Sequence, residues 1–286
     1  MGGAFVPRSL GEALALRAAH PEAVVVAGGT DLMVEVNFGR LKPPALLDLS
    51  HLETLASWRR QNGRYHIGAG MTFARIVREL PELTALVDAS RTVGSAQIRA
   101  RATIGGNLAT ASPAGDSLPV LAAYESRVVV ASARAGTRLV PWEEFLVGPK
   151  RTSLGADELI VGIEFEPPPG PGSFAKVGPR NAMVIAVAGV CLQLDEQSRA
   201  VRVALGSVGP TVLRALEAEA YGATVVRWDD PSARPTGGEL EEFGRLAAVG
   251  ASPIDDLRGS AAYRRHVVDR LTRRALSWML DERRAA

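Results

Sequence analysis

The stretch VVVAGGT, residues 24–30, runs without a break into DLMVEVNFGR, residues 31–40. A β-branched run ends in two glycines, and Thr30 and Asp31 then precede residues spaced like a helix, so the backbone turns sharply from strand to helix. Such a turn has the form of an anion site. Gly28 and Gly29 tolerate φ > 0 and admit a ligand to bare backbone, while the first amides of the following helix lack intrahelical acceptors and attract phosphate. The same glycines serve equally well as a tight turn with no ligand.

A second glycine pair lies in TIGGN, residues 103–107, where a turn or close backbone packing is the competing reading. Asn107 there tolerates αL or caps its own backbone. Neither stretch has the spacing of G-x-G-x-x-G, and no G-x-x-x-x-G-K-[ST] occurs. The pairing favours a ligand. Two glycine pairs, each followed by a small polar residue, suit one diphosphate better than they suit two unrelated turns.

Outward from this centre, Ser9 and Glu12 have capping-box spacing for a helix over 9–20, and Ala45–Leu49 reads as the strand that completes a βαβ unit. Strands are expected at 64–67, 128–131, 137–140 and 159–165, with helices over 72–80, 81–89, 93–101, 116–124 and 142–145. PPPGPG, residues 167–172, continues neither helix nor sheet and marks a domain boundary. Beyond it, strands at 174–177, 183–194 and 201–208 precede helices at 211–221, 240–248 and 259–284, a small sheet covered by helices.

The 286 residues allow about two domains, and 47% hydrophobic with 22% charged residues describes a globular chain. A net charge of +2 and 5% aromatics leave no basic or stacking platform for nucleic acid. No apolar run reaches the roughly 20 residues of a membrane span, and MGGAFVPRSLGEAL lacks a signal-peptide core, so a cytoplasmic location is expected. The four histidines are scattered and Cys191 is the one cysteine, so no metal-ligand spacing is present; metal or cluster chemistry is expected on a partner.

Other residues carry two readings. Asp116 is a helix N-cap or a carboxylate accepting from sugar hydroxyls, and Lys176 is an edge-strand residue with a snorkelling stem or a cation beside an electron-accepting ring. Arg264, Arg265, Arg270, Arg273 and Arg274 recur along the last helix as a solvated or subunit-facing side, while Asp255, Asp256 and Arg258 anchor its start.

With these residues laid out, the chain resembles the flavin-binding medium subunit of the molybdenum hydroxylases, the xanthine-dehydrogenase and carbon-monoxide-dehydrogenase family. The resemblance runs over nearly the full length. AGGTDLMVEVNFG and ATIGGNLATASPAGDSLPVLAAYES are similar to the family's two pyrophosphate loops, FLVGPKRTSL with DELIVGIEFEPP to its domain-closing segment, and FAKVGPR to the strand approaching the flavin. SPIDDLRGSAAYRRHVVDRLTRRAL is similar to the hallmark of its C-terminal domain.

The resemblance implies an α+β fold: a two-subdomain α/β FAD-binding domain over 1–168, divided near residue 55, with FAD in the cleft between the subdomains. A C-terminal domain over 173–286, a three-stranded antiparallel sheet with a helical bundle, would follow. It implies that Ala27, Gly28, Gly29, Thr30 and Asp31, with Thr103, Ile104, Gly105, Gly106 and Asn107, hold the FAD diphosphate, mainly through backbone amides, with Ile104 against the isoalloxazine. Asp116 would bond hydroxyls of the FAD chain, Lys176 would sit near the ring edge, and Arg180 matches a basic position nearby. Asn181-Ala182-Met183 departs from the acidic residue or short polar pair often found after that arginine.

The function implied is electron relay: substrate hydroxylated at molybdenum on a large partner, electrons carried by 2Fe–2S clusters on a small partner, and FAD delivering them to an external acceptor. No side chain of this chain is then a catalytic acid or base. The competing readings are a self-sufficient FAD oxidoreductase and a cofactor-free scaffold or assembly protein.

Overall fold

A computed structural model describes residues 3–285. The chain begins with β1 (Ala4–Phe5), α1 (Leu10–Ala19), β2 (Val24–Val26), α2 (Leu32–Asn37) and β3 (Leu46–Asp48). After a 3₁₀ turn at Glu53–Ala56 come β4 (Trp58–Gln61), β5 (Arg64–Gly68) and α3 (Phe73–Glu79). Four helices follow: α4 (Thr84–Thr92), α5 (Ala96–Arg99), α6 (Ile104–Thr110) and α7 (Ser117–Ala123). Then come β6 (Arg127–Ser132), β7 (Gly136–Pro141), α8 (Trp142–Phe145), β8 (Leu146–Gly148), β9 (Arg151–Thr152) and β10 (Glu158–Phe165). The remainder is β11 (Gly172–Val177), β12 (Ala188–Asp195), β13 (Ala200–Gly206), β14 (Leu213–Arg214), α9 (Leu216–Val225), α10 (Gly237–Val249) and α11 (Ala261–Ala285).

Two compact units emerge, each discontinuous in sequence. The first comprises Met1–Arg78, Ser95–Ala111 and Glu125–Glu166; the second comprises Glu79–Gly94, Ser112–Tyr124 and Pro167–Ala286.

In the first unit, β1, β3 and β2 form a parallel sheet with β3 in the middle. The expected βαβ unit is present, and β1, too short to show a period in sequence, pairs on its far side. Ser9 caps α1 by accepting from the Glu12 amide at 3.1 Å, but the Glu12 carboxylate reaches one residue further back than a capping box requires, to the Arg8 amide at 2.7 Å. The second sheet has the order β4-β5-β10-β6-β7, antiparallel throughout. Its strand β4 was not expected, because WRRQ is exposed at three of four positions and shows no alternation. The hairpin is nevertheless encoded in its turn: Asn62 and Gly63 both take positive φ, 50° and 81°, as a two-residue connection between right-twisted strands demands. Leu47, Leu49, Leu52 and Leu55 pack with Val129, Ala131, Leu159 and Ala13 into one core of this unit.

The second unit is built on the sheet β11-β12-β13-β14. The C-terminal sheet expected to have three strands gains a two-residue edge, because Leu213 and Arg214 pair with β13 where a helix was expected to begin. Strand β12 starts at Ala188 rather than near Met183, whose φ of 52° ends any extended run. All eight β12 residues are buried, so the sheet is covered on both faces. Ala188, Val190, Leu192 and Leu194 meet Phe243, Val268, Leu276 and Met279 from α10 and α11, while α4 and α7 also pack on β12. Cys191 is fully enclosed, and burial drives its thiol far above the ordinary range, leaving it an inert apolar side chain.

The C-terminal arginine stripe divides. Arg264 is not solvated: it is 3% exposed and donates to the carbonyls of Val187 and Ser207, both at 2.7 Å, and to the Asp256 carboxylate at 2.6 Å. Helical spacing located the stripe but could not tell which member faces the sheet. Asp255 accepts from the Ala261 amide at 2.6 Å and Asp256 from the Arg258 amide at 2.8 Å, so the acidic pair does anchor α11.

Helix α10 starts with a complete capping box, Thr236 with Glu239. The Arg227 guanidinium, and then the Thr236 amide, hold the Glu239 carboxyl down at about 2 against an ordinary 4.5. A depressed folded-state value contributes stability above pH 4.5 that is lost as pH falls toward 2. In urea titrations, Glu239→Gln should therefore unfold at lower denaturant than the unchanged protein near neutrality, with the gap closing across that window.

Candidate functional site

The first unit brings both glycine loops together. A Cβ on Gly28 would lie 2.1 Å from the Arg101 carbonyl oxygen and 3.1 Å from the Ala102 Cα, so the strand-to-helix turn abuts the residues leading into TIGGN backbone to backbone. Gly29 takes φ of +73°, the left-handed conformation that the turn requires. Thr103 is the N-cap of α6 and accepts from the Gly106 amide at 3.0 Å. Gly105 packs on Ala69, which a Cβ would meet at 2.5 Å.

The amides of the two loops are used differently. In the second loop Ile104 N–H donates to Met71 O at 3.0 Å, Gly105 N–H to Ala69 O at 2.9 Å, and Asn107 N–H to Thr103 O at 3.0 Å. With Gly106 held by Thr103, the four backbone amides from Ile104 to Asn107 are all engaged. In the first loop, among the described residues, the amides of Gly28, Gly29 and Thr30 donate to no protein acceptor. Asp31, in the N-cap position of α2, makes no capping bond; its carboxylate accepts instead from Thr110 Oγ1 at 2.8 Å.

Burial separates the residues further. Ile104 is 0% exposed and Gly105 is buried, so these two support the loop from behind; the Ile104 side chain belongs to the core and presents no surface. Gly106 is exposed, and a Cβ there would meet only Thr103 Oγ1, at 3.0 Å. Ala69 and Thr110 were not singled out in the sequence. The run GAG at 68–70, small residues where a strand ends, is the one local sign of the close approach at Ala69. Thr110 carries no local sign.

In the second unit Asp116 and Lys176 form one buried pair. Lys176 on edge strand β11 donates to Asp116 Oδ2 at 2.5 Å, to Thr92 O at 3.0 Å and to Val184 O at 3.2 Å, which occupies all three ammonium protons. The strand is at an edge, but the side chain does not snorkel: both partners are 8% exposed. Thr92 Oγ1 also donates to Asp116, at 3.1 Å, and the Asp116 side chain makes no helix cap. Burial raises the Asp116 carboxyl above its ordinary value, against the opposing pull of Lys176 and Thr92. Arg180 donates to the carbonyls of Ala182 and Met183, at 3.1 and 2.6 Å, and so braces the turn in which Met183 is left-handed. Among the described residues no group of three or more His, Cys, Asp or Glu side chains is arranged to hold a metal ion, and no helix is long and apolar enough to cross a membrane.

Open amides on a glycine turn, facing no acceptor of their own, fit a phosphate-bearing cofactor. Comparison with known proteins names it. Residues 2–168 match the family model for the FAD binding domain in molybdopterin dehydrogenase, and residues 173–279 match that for the CO dehydrogenase flavoprotein C-terminal domain. The chain belongs to the FAD-binding medium subunits of the molybdenum hydroxylase family. It is 34% identical to the nicotinate dehydrogenase FAD-subunit of Eubacterium barkeri, over 67% of this chain and 69% of that protein. It is 29% identical to a putative xanthine dehydrogenase FAD-binding subunit of Escherichia coli (strain K12), over 94% of this chain and 92% of that one. The carbon monoxide dehydrogenase structure from Hydrogenophaga pseudoflava superposes with a TM-score of 0.86 at 26% identity, covering 99% of this chain and 98% of that one. As a member of this family the chain is an oxidoreductase component with FAD as its cofactor and an α+β medium-subunit fold.

The glycines of this FAD subunit should separate by role. Gly28→Ala and Gly105→Ala each force backbone or core to move and should lower unfolding free energy by roughly 1–3 kcal/mol, whereas Gly106→Ala should be nearly neutral in the same urea titration. Lys176→Met leaves a buried carboxylate unpaired and should cost about 3–5 kcal/mol, most of it recovered when Asp116→Asn is added.

Proposed function

We propose that this chain is the electron-transferring flavoprotein subunit of a molybdenum hydroxylase, receiving electrons from 2Fe–2S clusters on a small partner and passing them through FAD to an external acceptor. Substrate is hydroxylated on a large molybdenum-cofactor partner, which therefore sets substrate choice. The observation that carries the reading is the glycine turn with unspent amides, set against a second loop whose amides from Ile104 to Asn107 are all engaged. FAD supplies the redox chemistry; the protein binds, orients and shields it.

In this assignment Ala27, Gly28, Gly29, Thr30 and Asp31 offer backbone donors to the diphosphate. Thr103, Gly106 and Asn107 form the opposing wall, where the missing Cβ of Gly106 leaves room for close approach, and Ile104 and Gly105 hold that wall in place. Asp116 and Lys176 are cofactor residues acting as a hydrogen-bonded pair, so that Lys176 contributes a fixed positive charge rather than a mobile one. Residues 1–168, divided near 55, are the FAD domain and 173–286 the C-terminal domain; the protein works in the cytoplasm. Membership of a heteromeric complex is supported by relatives named as subunits, among them a nicotine 6-hydroxylase medium subunit and a glyceraldehyde dehydrogenase medium chain.

The purified chain should show a flavin spectrum, release FAD identified by mass, and co-purify with a molybdenum and an iron–sulfur subunit. A flavin-loaded chain that turns over substrate alone would favour a self-sufficient oxidoreductase, and a chain unable to take up FAD would favour a scaffold. Within that framework, Gly106→Val should weaken FAD binding about tenfold or more while the flavin-free protein loses little stability. Unchanged affinity in a fluorescence titration would rule out cofactor contact at that position.

A further inference from the structure

We propose that Thr110 is a positioning residue for the diphosphate loop: its hydroxyl holds the Asp31 carboxylate, and with it residues 28–32, in the geometry that leaves the loop amides open. The inference rests on the FAD reading above and assigns a role to a residue outside both glycine motifs.

The argument begins with what fails to hold this loop. Helix α2 has six residues and none of them is buried; Met33 and Val34 within it are 43% and 45% exposed, and Phe38 just after it is 70% exposed. A helix so short has little stability of its own and normally relies on an apolar face packed against a core. Asp31 supplies no local cap either, since its backbone is already helical, with φ of −93° and ψ of −48°, and its side chain bonds no amide of α2. Its carboxylate spans 79 residues of sequence to reach Thr110.

Thr110 is a firm anchor. It is the last residue of α6, whose first residues are tied to Met71 and Ala69 by backbone hydrogen bonds. The helix closes immediately after it, where Ala111 turns left-handed at φ of 44° and its carbonyl accepts from the Lys150 amide at 2.9 Å. The hydroxyl is therefore presented from a short strut fixed at both ends.

One effect follows for a phosphate ligand: a carboxylate engaged by Thr110 is restrained from swinging into the loop, where its charge would repel a diphosphate. The hydroxyl is neutral, so it orients the carboxylate without adding a competing cation.

The test compares the full-length chain, stripped of flavin, with Thr110→Val and Thr110→Ser. Hydrogen exchange of the flavin-free proteins reads the latch directly; titration with FAD, followed by flavin fluorescence, reads its consequence. Valine should accelerate exchange across residues 32–37 and weaken FAD binding about tenfold, with the thermal midpoint nearly unchanged, and serine should restore both. Unaltered exchange in Thr110→Val would overturn the latch, and altered exchange with unaltered FAD affinity would overturn its positioning role. Failure of the unchanged chain to bind FAD would overturn the FAD reading itself, an outcome kept separate because the exchange measurement contains no flavin.

Discussion

Gly28 faces the carbonyl of Arg101 with no side chain between them, and the geometry of the cofactor loops depends on that approach. Any Cβ there would separate two stretches that are distant in sequence, and the open surface they share would be lost. The contact also explains why the loops are unequal. The second loop is welded to the end of β5 and the turn after it, through Ala69 and Met71, and its amides from Ile104 to Asn107 are all spent within the protein; the first has donors to spare and few attachments. A rigid wall and a lightly held donor strip are complementary parts of one phosphate cradle, since rigidity on one side fixes where the ligand sits and unspent amides on the other supply the attraction.

The second unit resolves a different problem, that of burying charge. Lys176 with Asp116, and Arg264 with Asp256, place cations where the side chains are almost wholly enclosed, and each cation is surrounded by acceptors: carbonyls of Thr92 and Val184 in one case, of Val187 and Ser207 in the other. Such groups are costly to enclose singly and specific when fully satisfied, because few other packings bring the same acceptors together. Lys176 fixes the register between β11, the end of α4 and the segment before β12, and Arg264 fixes the last helix against the end of β13.

Much of this was legible in the residues. The VVVAGGT turn, the short helix after it, α8 over 142–145, and the order of strands and helices beyond the prolines follow from period and turn chemistry. The misreadings have local physical causes. Strand β4 is an edge carrying two arginines, so its pattern is silent; Met183 breaks the extended run ahead of β12 through a backbone angle that no side-chain pattern announces; Arg264 differs from Arg265 only in the direction each faces. At the site, sequence located both glycine pairs but could not tell which amides were already spent, because the acceptors, Ala69 and Met71, belong to another part of the chain. The meeting of Asp116 with Lys176, and of Asp31 with Thr110, is tertiary information of the same kind.

The discontinuity of the two compact units bears on how the chain can be made and cut. Helices α4 and α7 are synthesised well before the sheet on which they pack, and most α7 positions are apolar and buried. A nascent chain that has reached the proline-rich stretch therefore carries two helices that can cover only each other, and the faces that meet the sheet stay uncovered until β11, β12 and β13 emerge. The sequence boundary at 167–172 is thus a poor place for a scissor: an N-terminal fragment ending there would keep both glycine loops and still expose surfaces that belong to the other half.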